Sequence, residues 1–374
     1  MDQEFAGHTL FQSVPFGNEK LASRLVMAPM TRMFSPEGVP GENVAQYYRK
    51  RAENGIGLII TEGTAINHPA AVMSPDIPRF YGEDALNGWA NVVHKVHQAG
   101  GKIIPQIWHV GAARRAGSEP NVDAPPVSPS GFTLKGQRNE KIKALTKDEV
   151  AEMIDAYAEA AANAKRIGFD GIELHGAHGY LIDQFFWELT NKRTDEYGGD
   201  IGERSKFAAD VVRACRKAVG PDFPIVLRFS QWKGTDYQAK LANNSTELEQ
   251  LLTPLVEAGV DIFHCSTRRI WEPEFRDEDP SLGLAGWTKR ITKKPTIAVG
   301  SVGINRAYLS NQDNDNVTIV DNLKIIDEKI KAGEFDYVAV GRAVLADPEW
   351  AVKLKNGNLD QVVHYTKESE KQLI

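Results

Sequence analysis

The sequence between residues 147 and 175, KDEVAEMIDAYAEAAANAKRIGFDGIELH, contains the two patterns that decide the fold. Thr146 and Glu149 have the spacing of a capping box, which predicts a helix over residues 147–167. Its apolar residues recur at the spacing of one buried helix face; they are Val150, Ile154, Tyr157, Ala158 and Ala161. The run GIELH at 171–175 then predicts a buried strand, because it is short, apolar and preceded by glycine.

The same alternation of a short apolar run and a helical pattern occurs eight times along the chain. The predicted strands are residues 25–30, 57–63, 102–108, 171–175, 224–230, 261–267, 295–301 and 336–342. Further helical stripes lie near residues 85–98, 203–219 and 246–257. Apolar strands joined by crossover helices predict a parallel sheet covered on its outer face, and eight repeats favour closure into a (β/α)8 TIM barrel. An open doubly wound sheet is the alternative.

Composition restricts the class of protein. The 374 residues are 42% hydrophobic and 25% charged, as in soluble globular proteins, and we expect a single domain over residues 1–374 with NQDNDN at 311–316 as solvated surface. The net charge of −6 argues against nucleic acid as a partner. Two cysteines are too few for a disulfide framework, a four-Cys zinc site or an iron–sulfur cluster. We expect a cytoplasmic location, since the sequence has no signal-peptide pattern and no apolar stretch of membrane-spanning length.

Two connections are too long to be ordinary loops: residues 109–145 after the third predicted strand and residues 178–202 after the fourth. Both leave the carboxyl ends of strands, where barrel enzymes build their sites. The fourth strand leads into HGAHGY, so His175, His178 and Tyr180 lie at this rim. Two imidazoles beside a phenol can bind a substrate oxygen and supply a proton. A metal site is a second interpretation, and histidines satisfied within the core are a third.

Polar side chains also lie within or just after other predicted strands, at Thr31, Gln106 and Arg228. Burying a polar side chain without a partner is costly, so three directed to one mouth indicate a polar, planar and anionic ligand. A salt bridge inside the barrel is the alternative for Arg228. The last two strands end in GS at 300–301 and GR at 341–342, which either cradle a phosphate or serve tight turns. No Rossmann or P-loop glycine motif is present.

Six motifs, in order along the chain, resemble those of the Old Yellow Enzyme family. They are APMTR at 28–32, TEG at 61–63, QIWH at 106–109, HGAHGYLIDQF at 175–185, NKRTDEYGG at 191–199 and GR at 341–342. The resemblance covers essentially the whole chain, and the H-x-x-H-x-Y block followed by N-x-R-x-D-x-Y-G-G is highly specific. It implies an NAD(P)H:flavin oxidoreductase whose barrel holds FMN non-covalently at its carboxyl mouth.

The resemblance also implies which residues hold FMN. Arg228 would lie at N1 and the C2 oxygen of the flavin, where a guanidinium favours added negative charge. Gln106 would bind the pyrimidine edge, and Thr31 would donate to the C4 oxygen. Main chain beside the ring would come from Ala28, Pro29, Met30 and Gly63. The phosphate would be held by Gly300, Ser301, Gly341 and Arg342.

The implied reaction is ene reduction, in which NADPH or NADH is a transient electron donor. Hydride would pass by way of FMN to the β-carbon of an α,β-unsaturated carbonyl compound or a related electrophile such as a quinone, nitroalkene or nitrate ester. His175 and His178 would bind the substrate oxygen, Tyr180 would protonate the α-carbon, and Trp108 would line the pocket or pack in the core. The expected partner is a small electrophile, with no metal, nucleic acid or membrane, and the expected state is a monomer or small homo-oligomer. A metal-dependent barrel hydrolase using His175 and His178 and a non-catalytic flavoprotein are the alternatives.

This chain departs from some relatives in ways that leave parts of the pocket open. It has the H-x-x-H form of the histidine motif, where other members have H-x-x-N, and Thr31 where one branch has Cys. Its last residues, HYTKESEKQLI, lack the aromatic-rich tail of some relatives, so the resemblance assigns no role to Tyr365. The segment 268–279, which includes Trp271, likewise has no assigned role, and the physiological oxidant is not implied.

Overall fold

Eight parallel strands form a closed barrel in the computed structural model, which describes residues 8–304 and 319–374. Each strand pairs with the next along the chain, and the last pairs with the first. The strands are β1 (Leu25–Met27), β2 (Leu58–Ala65), β3 (Lys102–Trp108), β4 (Ile172–His178), β5 (Ile225–Lys233), β6 (Ile262–Ser266), β7 (Thr296–Val299) and β8 (Tyr337–Val340). The predicted (β/α)8 TIM barrel is therefore confirmed.

Every predicted strand overlaps an observed one, but several ends differ for local reasons. β1 stops at Met27, shortly before Pro29, which has no N–H to donate to a ladder. β7 stops at Val299 because the chain turns at Gly300 and Ser301, which have φ of +156° and +54°. β4 and β5 instead continue past their predicted ends through a register shift. That shift brings additional side chains to the carboxyl rim.

The helices pack around the barrel. They are α1 (Glu42–Glu53), α2 (Glu83–Gln98), α3 (Lys147–Arg166), α4 (Leu181–Phe186), α5 (Lys206–Val219), α6 (Ser245–Ala258), α7 (Leu284–Thr292), α8 (Ile319–Lys331), α9 (Arg342–Ala346) and α10 (Trp350–Lys355). The predicted capping box at the start of α3 is present, with reciprocal bonds between Thr146 and Glu149. The buried face of α3 differs from the prediction: Met153 and Ala160 are buried, whereas Ile154 and Ala158 are half-buried at its edge. The stripe is thus displaced by one position toward Met153.

The amino-terminal end of the barrel is closed by an antiparallel hairpin, Val14–Phe16 with Glu19–Leu21. Its apolar side chains belong to the same buried cluster as residues inside the barrel, including Leu58, Ile262 and Tyr337 at the starts of three strands. A larger apolar cluster fills the space between the strands and the helices. Apolar packing therefore closes the amino end and the outer face, and the carboxyl end is left for a ligand.

The long connections form part of the carboxyl-terminal rim. Residues 109–145 contain the paired short strands Val127–Ser128 and Lys143–Ala144, and residues 178–202 contain α4. The polar segment at 311–316 lies outside the described residues. Cys215 and Cys265 are both buried and unpaired. Within the described ranges, no helix has the length and apolar character needed to span a membrane.

Candidate active site

A cavity of about 360 Å³ opens at the carboxyl ends of the barrel strands. Its volume lies within the usual range for small-molecule sites. Fourteen of the residues that the sequence singled out line it: Ala28, Pro29, Met30, Thr31, Gln106, Trp108, His175, His178, Tyr180, Arg228, Gly300, Ser301, Gly341 and Arg342. Residues that are more than three hundred positions apart in sequence thus meet in one cavity, because the carboxyl ends of a parallel barrel converge.

Gly63 differs from its expected place, since it is not among the residues that line the cavity. It pairs with Gln106 in the ladder between β2 and β3. A Cβ at Gly63 would lie 2.4 Å from Cε3 of Trp108, a distance that no folded protein tolerates without a shift. The absence of a side chain at Gly63 therefore gives the Trp108 indole its position in the cavity wall.

Five aromatic rings form one wall of the cavity. The Trp108 and His175 rings are stacked, with centroids 6.0 Å apart, and Tyr180 meets both edge-on at 4.8 Å and 4.9 Å. The His178 ring lies 5.3 Å from His175 and stacks on Trp232 at 4.3 Å. Edge-to-face and stacked contacts of this kind restrict each ring to one orientation. The wall presents two imidazoles and one phenol to the same cavity.

The surroundings of both imidazoles favour the neutral form. Burial lowers the pKa of His175 and of His178 well below the usual value, and the positive charge of Arg228 lowers both further. A neutral imidazole has one N–H donor and one acceptor nitrogen. Nε2 of His178 lies 2.8 Å from the hydroxyl oxygen of Ser266. The pair can therefore donate to a carbonyl oxygen without adding positive charge to the cavity.

Arg228 is a buried cation without an ion-pair partner among the described residues. Its Nη2 donates a long bond of 3.4 Å to the hydroxyl of Ser266, and its Nε has no hydrogen-bond partner. Burial lowers the pKa of Arg228, while the charge of Glu173 opposes that effect. The alternative interpretation of Arg228, a salt bridge inside the barrel, is not found in the part of the chain that the structure describes. A buried guanidinium with an unused donor indicates a site for an anionic or strongly accepting ligand atom.

Three buried polar side chains bind one another inside the barrel, beneath the cavity. The Gln106 amide donates to one oxygen of Glu173 at 2.8 Å, and Nδ1 of His264 lies 2.6 Å from the other oxygen. All three side chains are buried. Because one N–H of Gln106 is bound to Glu173, the amide is held in a fixed orientation, with its remaining donor and acceptor capacity available to a ligand.

The turn at the end of β7 forms part of the cavity wall and packs closely against the end of β6. A Cβ at Gly300 would lie 2.6 Å from Oγ1 of Thr267, so only glycine fits there. Ser301 adopts a left-handed conformation and donates its hydroxyl to the carbonyl of Arg268 at 2.8 Å, and Asn322 donates to the carbonyl of Ser301 at 2.8 Å. These contacts hold the turn at the wall of the cavity, which Arg342 also lines.

Several cavity residues were missed by the sequence analysis. Ser266 and Thr267 end a predicted strand, so the reasoning that selected Thr31 would have found them. Trp232 was missed because the predicted strand ended at Ser230, before the register shift. Tyr237 and Arg268 come from loops and carry no sequence signal; the Arg268 guanidinium lies 4.4 Å from the centre of the Tyr237 ring.

The carboxyl-terminal residues reach the cavity, which answers a question that the sequence left open. Glu370 lines the cavity. The guanidinium of Arg32, from the APMTR motif, donates to the carbonyls of Glu370 at 3.0 Å and Gln372 at 2.8 Å. The Arg342 guanidinium lies 5.6 Å from the centre of the Tyr365 ring. Residues 365–372 are thus fastened beside the cavity by long-range contacts.

The donors present in the cavity fit FMN. Arg228 offers an unused buried donor for the accepting edge of the isoalloxazine ring, Gln106 offers an oriented amide, and Arg342 contributes a second cation to the cavity, suited to a phosphate. By contrast, the described ranges contain no group of three or more His, Cys, Asp or Glu residues placed to hold a metal ion. The chemistry of the site is therefore that of an anionic, planar cofactor.

Comparison with known proteins agrees with this geometry. Residues 9–361 match the sequence profile of the NADH:flavin oxidoreductase / NADH oxidase family. The chain is 34% identical to the NADH oxidase of Thermoanaerobacter brockii over 358 residues, which are 94% of this chain and 52% of that protein, so it spans about half of the relative's length. It is 32% identical to 12-oxophytodienoate reductase 2 of Arabidopsis thaliana over 355 residues, 90% of this chain and 87% of the relative.

The structure of morphinone reductase in complex with tetrahydroNAD has the same fold. It superposes with a TM-score of 0.78 at 27% identity and covers 96% of this chain and 93% of its own. Together, the family match, the closed barrel and the cavity residues establish the family that the motifs resembled. This chain belongs to the NADH:flavin oxidoreductase / NADH oxidase family, that of Old Yellow Enzyme, whose cofactor is FMN.

Proposed function

We propose that this chain is an ene-reductase that uses NADPH or NADH to reduce α,β-unsaturated carbonyl compounds and related electrophiles, with quinones, nitroalkenes and nitrate esters among them. The observation that carries the proposal is that His175, His178 and Tyr180 share one cavity wall. The centroid of the His175 ring lies 5.3 Å from that of His178 and 4.9 Å from that of Tyr180. FMN, when bound, would accept hydride from the nicotinamide and deliver it to the substrate. Family membership supports the oxidoreductase class, and the choice of substrate rests on the cavity wall.

The roles of this chain's residues follow from their chemistry. Arg228 and Gln106 would bind the accepting edge of FMN, Thr31 would donate to its C4 oxygen, and residues 28–30 would contact the ring through their main chain. Gly300, Ser301, Gly341 and Arg342 would bind the phosphate. A guanidinium in a site closed to water favours the form of a ligand that carries more negative charge. Arg228 would therefore favour the electron-rich state of the cofactor.

The substrate would bind through its oxygen to His175 and His178. Donation from two neutral imidazoles withdraws electron density from the carbonyl, which makes the β-carbon a better hydride acceptor. The hydroxyl of Tyr180 would then supply the proton for the α-carbon as a general acid. Trp108 would support this arrangement, because its indole contacts both His175 and Tyr180.

The test begins with the purified protein, which should be yellow and should release about one FMN per chain on denaturation. A phenol, added as an analogue of the substrate enolate, should produce a long-wavelength charge-transfer band. His175→Ala and His178→Ala should each raise the phenol dissociation constant by about tenfold or more, since each removes a hydrogen bond to a charged oxygen. His94→Ala is the matched control, because His94 is exposed on α2 and does not line the cavity.

Turnover provides the second part of the test. The enzyme should consume NADPH in the presence of cyclohexenone and produce cyclohexanone. A colourless protein that does not bind FMN would refute the cofactor role of the cavity. Phenol titrations that are the same in the parent, His175→Ala and His178→Ala would return both histidines to a structural role and remove the basis for the proposed substrate class.

A further inference from the structure

An ion pair that takes no part in the proposed chemistry lies behind the cavity wall that contains His178 and Tyr180. Oδ1 of Asp183, in α4, is 2.7 Å from Nζ of Lys233, at the end of β5, and both side chains are fully buried. Neither residue lines the cavity. A buried pair of this kind rarely adds net stability compared with apolar side chains of the same volume, so its presence calls for another role.

The backbone next to this pair has an unusual conformation. His178 has φ of +64°, in the left-handed region, and Gly179 follows with φ of +87°. The Gly179 N–H donates to Oδ2 of Asp183 at 2.6 Å, while its carbonyl accepts from the Gln184 amide at 2.7 Å. Side chains of α4 thus hold the Gly179 peptide groups on both sides. His178 precedes and Tyr180 follows this fixed residue.

Lys233 approaches the same turn from the neighbouring strand. It stands opposite His178 in the register that resumes after the shift between β4 and β5. Its Nζ also donates to the carbonyl of Ser230 at 3.2 Å, and the hydroxyl of Ser230 accepts from the His178 N–H at 3.0 Å. The Gly234 N–H donates to the His178 carbonyl at 3.1 Å. Asp183 therefore bonds to the turn itself, and Lys233 bonds to Ser230, which in turn accepts from His178.

The two charges are each needed to keep the other buried. Burial raises the pKa of Asp183, and the Lys233 ammonium opposes that rise; burial lowers the pKa of Lys233, and the Asp183 carboxylate opposes that fall. Nζ also lies 5.5 Å from the centre of the Trp187 ring. An ionised carboxylate accepts hydrogen bonds more strongly than a neutral acid, so Lys233 strengthens the bond between Asp183 and Gly179.

We propose that the Asp183–Lys233 pair is a positioning device that holds the left-handed turn at His178 and Gly179, so that the His178 imidazole and the Tyr180 phenol face the cavity together. The inference rests on the proposed function, because it concerns the two groups to which that function assigns oxygen binding and proton transfer. Asp183 and Lys233 are positioning residues, since they act through the turn and touch neither cofactor nor substrate.

The experiment compares two double variants of the holoenzyme. Asp183→Asn/Lys233→Met removes both charges but keeps an oxygen that can accept from the Gly179 N–H. Asp183→Leu/Lys233→Met has a similar volume but no acceptor. The control is Glu334→Leu/Lys329→Met, because Glu334 likewise binds a lysine at 2.7 Å and a glycine N–H, that of Gly283, at 2.9 Å, and none of the three lines the cavity.

Three quantities are measured for each variant: the phenol dissociation constant from the charge-transfer band, the FMN dissociation constant, and the ratio of reoxidation rates with cyclohexenone and with menadione. Cyclohexenone needs the proton from Tyr180, whereas quinone oxygens can take protons from water. In Asp183→Leu/Lys233→Met we expect this ratio to fall by about 10- to 100-fold, as for a misplaced catalytic group, and phenol binding to weaken. Affinity for FMN should stay near that of the parent, and the control variant should resemble the parent in all three. The Asn/Met variant should lie between the parent and the Leu/Met variant, because a neutral amide oxygen accepts from the Gly179 N–H more weakly than a carboxylate does.

Each outcome decides between the possibilities. A Leu/Met variant with the parent's ratio and phenol affinity would overturn the inference, and so would an Asn/Met variant that resembles the parent, because a neutral acceptor alone would then hold the turn. If the Leu/Met variant does not fold, Asp183→Asn/Lys233→Met and Lys233→Met decide, because both remove the ion pair but keep an acceptor for Gly179. A ratio below that of the parent with unchanged FMN affinity supports the inference, and parent-like ratios in both variants overturn it. A parent enzyme without a phenol band or enone turnover would instead refute the proposed function.

Discussion

Replacing Tyr180 by phenylalanine removes one hydroxyl group from the cavity wall and leaves its packing in place. The ring is held edge-on between Trp108 at 4.8 Å and His175 at 4.9 Å, and phenylalanine keeps both contacts. Loss of a single hydrogen-bonding hydroxyl costs about 1 kcal/mol of folding stability, so the variant should fold and bind FMN. The change therefore isolates the proposed proton transfer from the structure of the site.

The expected effect on the rate can be set from the role of the hydroxyl. Positioned general acid catalysis contributes a factor of about 10² to 10⁴ in rate. This factor corresponds to about 3 to 5 kcal/mol in the activation free energy of the reaction. This loss should affect reoxidation by cyclohexenone, in which the α-carbon must receive a proton. Reduction by NADPH requires no proton from Tyr180, so its rate should stay near that of the parent. The two half-reactions should separate by at least about two orders of magnitude.

Stopped-flow absorbance at the flavin band measures both half-reactions. Tyr237→Phe is the matched control, because it removes another phenol hydroxyl from the same cavity, from a ring 5.5 Å from Trp232 and outside the histidine motif. We expect the control to reoxidise with cyclohexenone like the parent. If Tyr180→Phe also reoxidises with cyclohexenone at the parent's rate, the proton comes from water or another side chain and the assignment of Tyr180 is wrong.

Other sites in and around the cavity lead to three further expectations. Arg228→Met should raise the FMN dissociation constant by about tenfold or more in titrations of the apoprotein, because it removes a buried donor that the protein leaves unused; an unchanged constant would refute that role. Gly63→Ala should weaken the phenol-induced band, because its Cβ would lie 2.4 Å from a ring atom of Trp108. Gly202→Ala is the control and should leave the band unchanged, because its Cβ would lie no nearer than 3.4 Å to any neighbouring atom. Burial raises the pKa of Glu62 from 4.5 to about 7, so the folded chain binds this proton more tightly than the unfolded chain, and stability is lost as pH rises through that window. Glu62→Gln keeps an acceptor for the N–H groups of Arg32 and Met33 but does not titrate. As the pH rises to 8, the free energy of unfolding of the parent should fall relative to that of Glu62→Gln by about 3 kcal/mol, measured by urea unfolding. Parallel pH profiles of the two proteins would contradict this.

The sequence predicted the fold because the barrel is built from local periodicity. Eight apolar runs alternate with helical patterns, and each run overlaps an observed strand. Parallel strands then bring all their carboxyl ends to one rim, so polar residues near those ends could be grouped before any contact was known. Thr31, Gln106, His175 and Arg228 were found in this way, although they come from four different strands or their ends.

The details of the site depended on contacts that no local pattern records. Trp232 enters the wall because the register between β4 and β5 shifts after Gly176, and such a shift depends on how two strands pair. Glu370 reaches the cavity because Arg32, more than three hundred residues earlier, binds its carbonyl. Gly63 serves Trp108 through a close approach between neighbouring strands.

The sequence by itself determined the class of fold, the end of the barrel at which the cavity opens and most of the residues that line it. These follow from residue periodicity and from the geometry that all parallel barrels share. Only the tertiary structure decided how those side chains are held: Asp183 and Lys233 meet behind the turn at His178, and Glu173 orients Gln106. The physical reason is that hydrogen bonds and ion pairs act through space over a few ångströms, between residues whose separation along the chain has no fixed period.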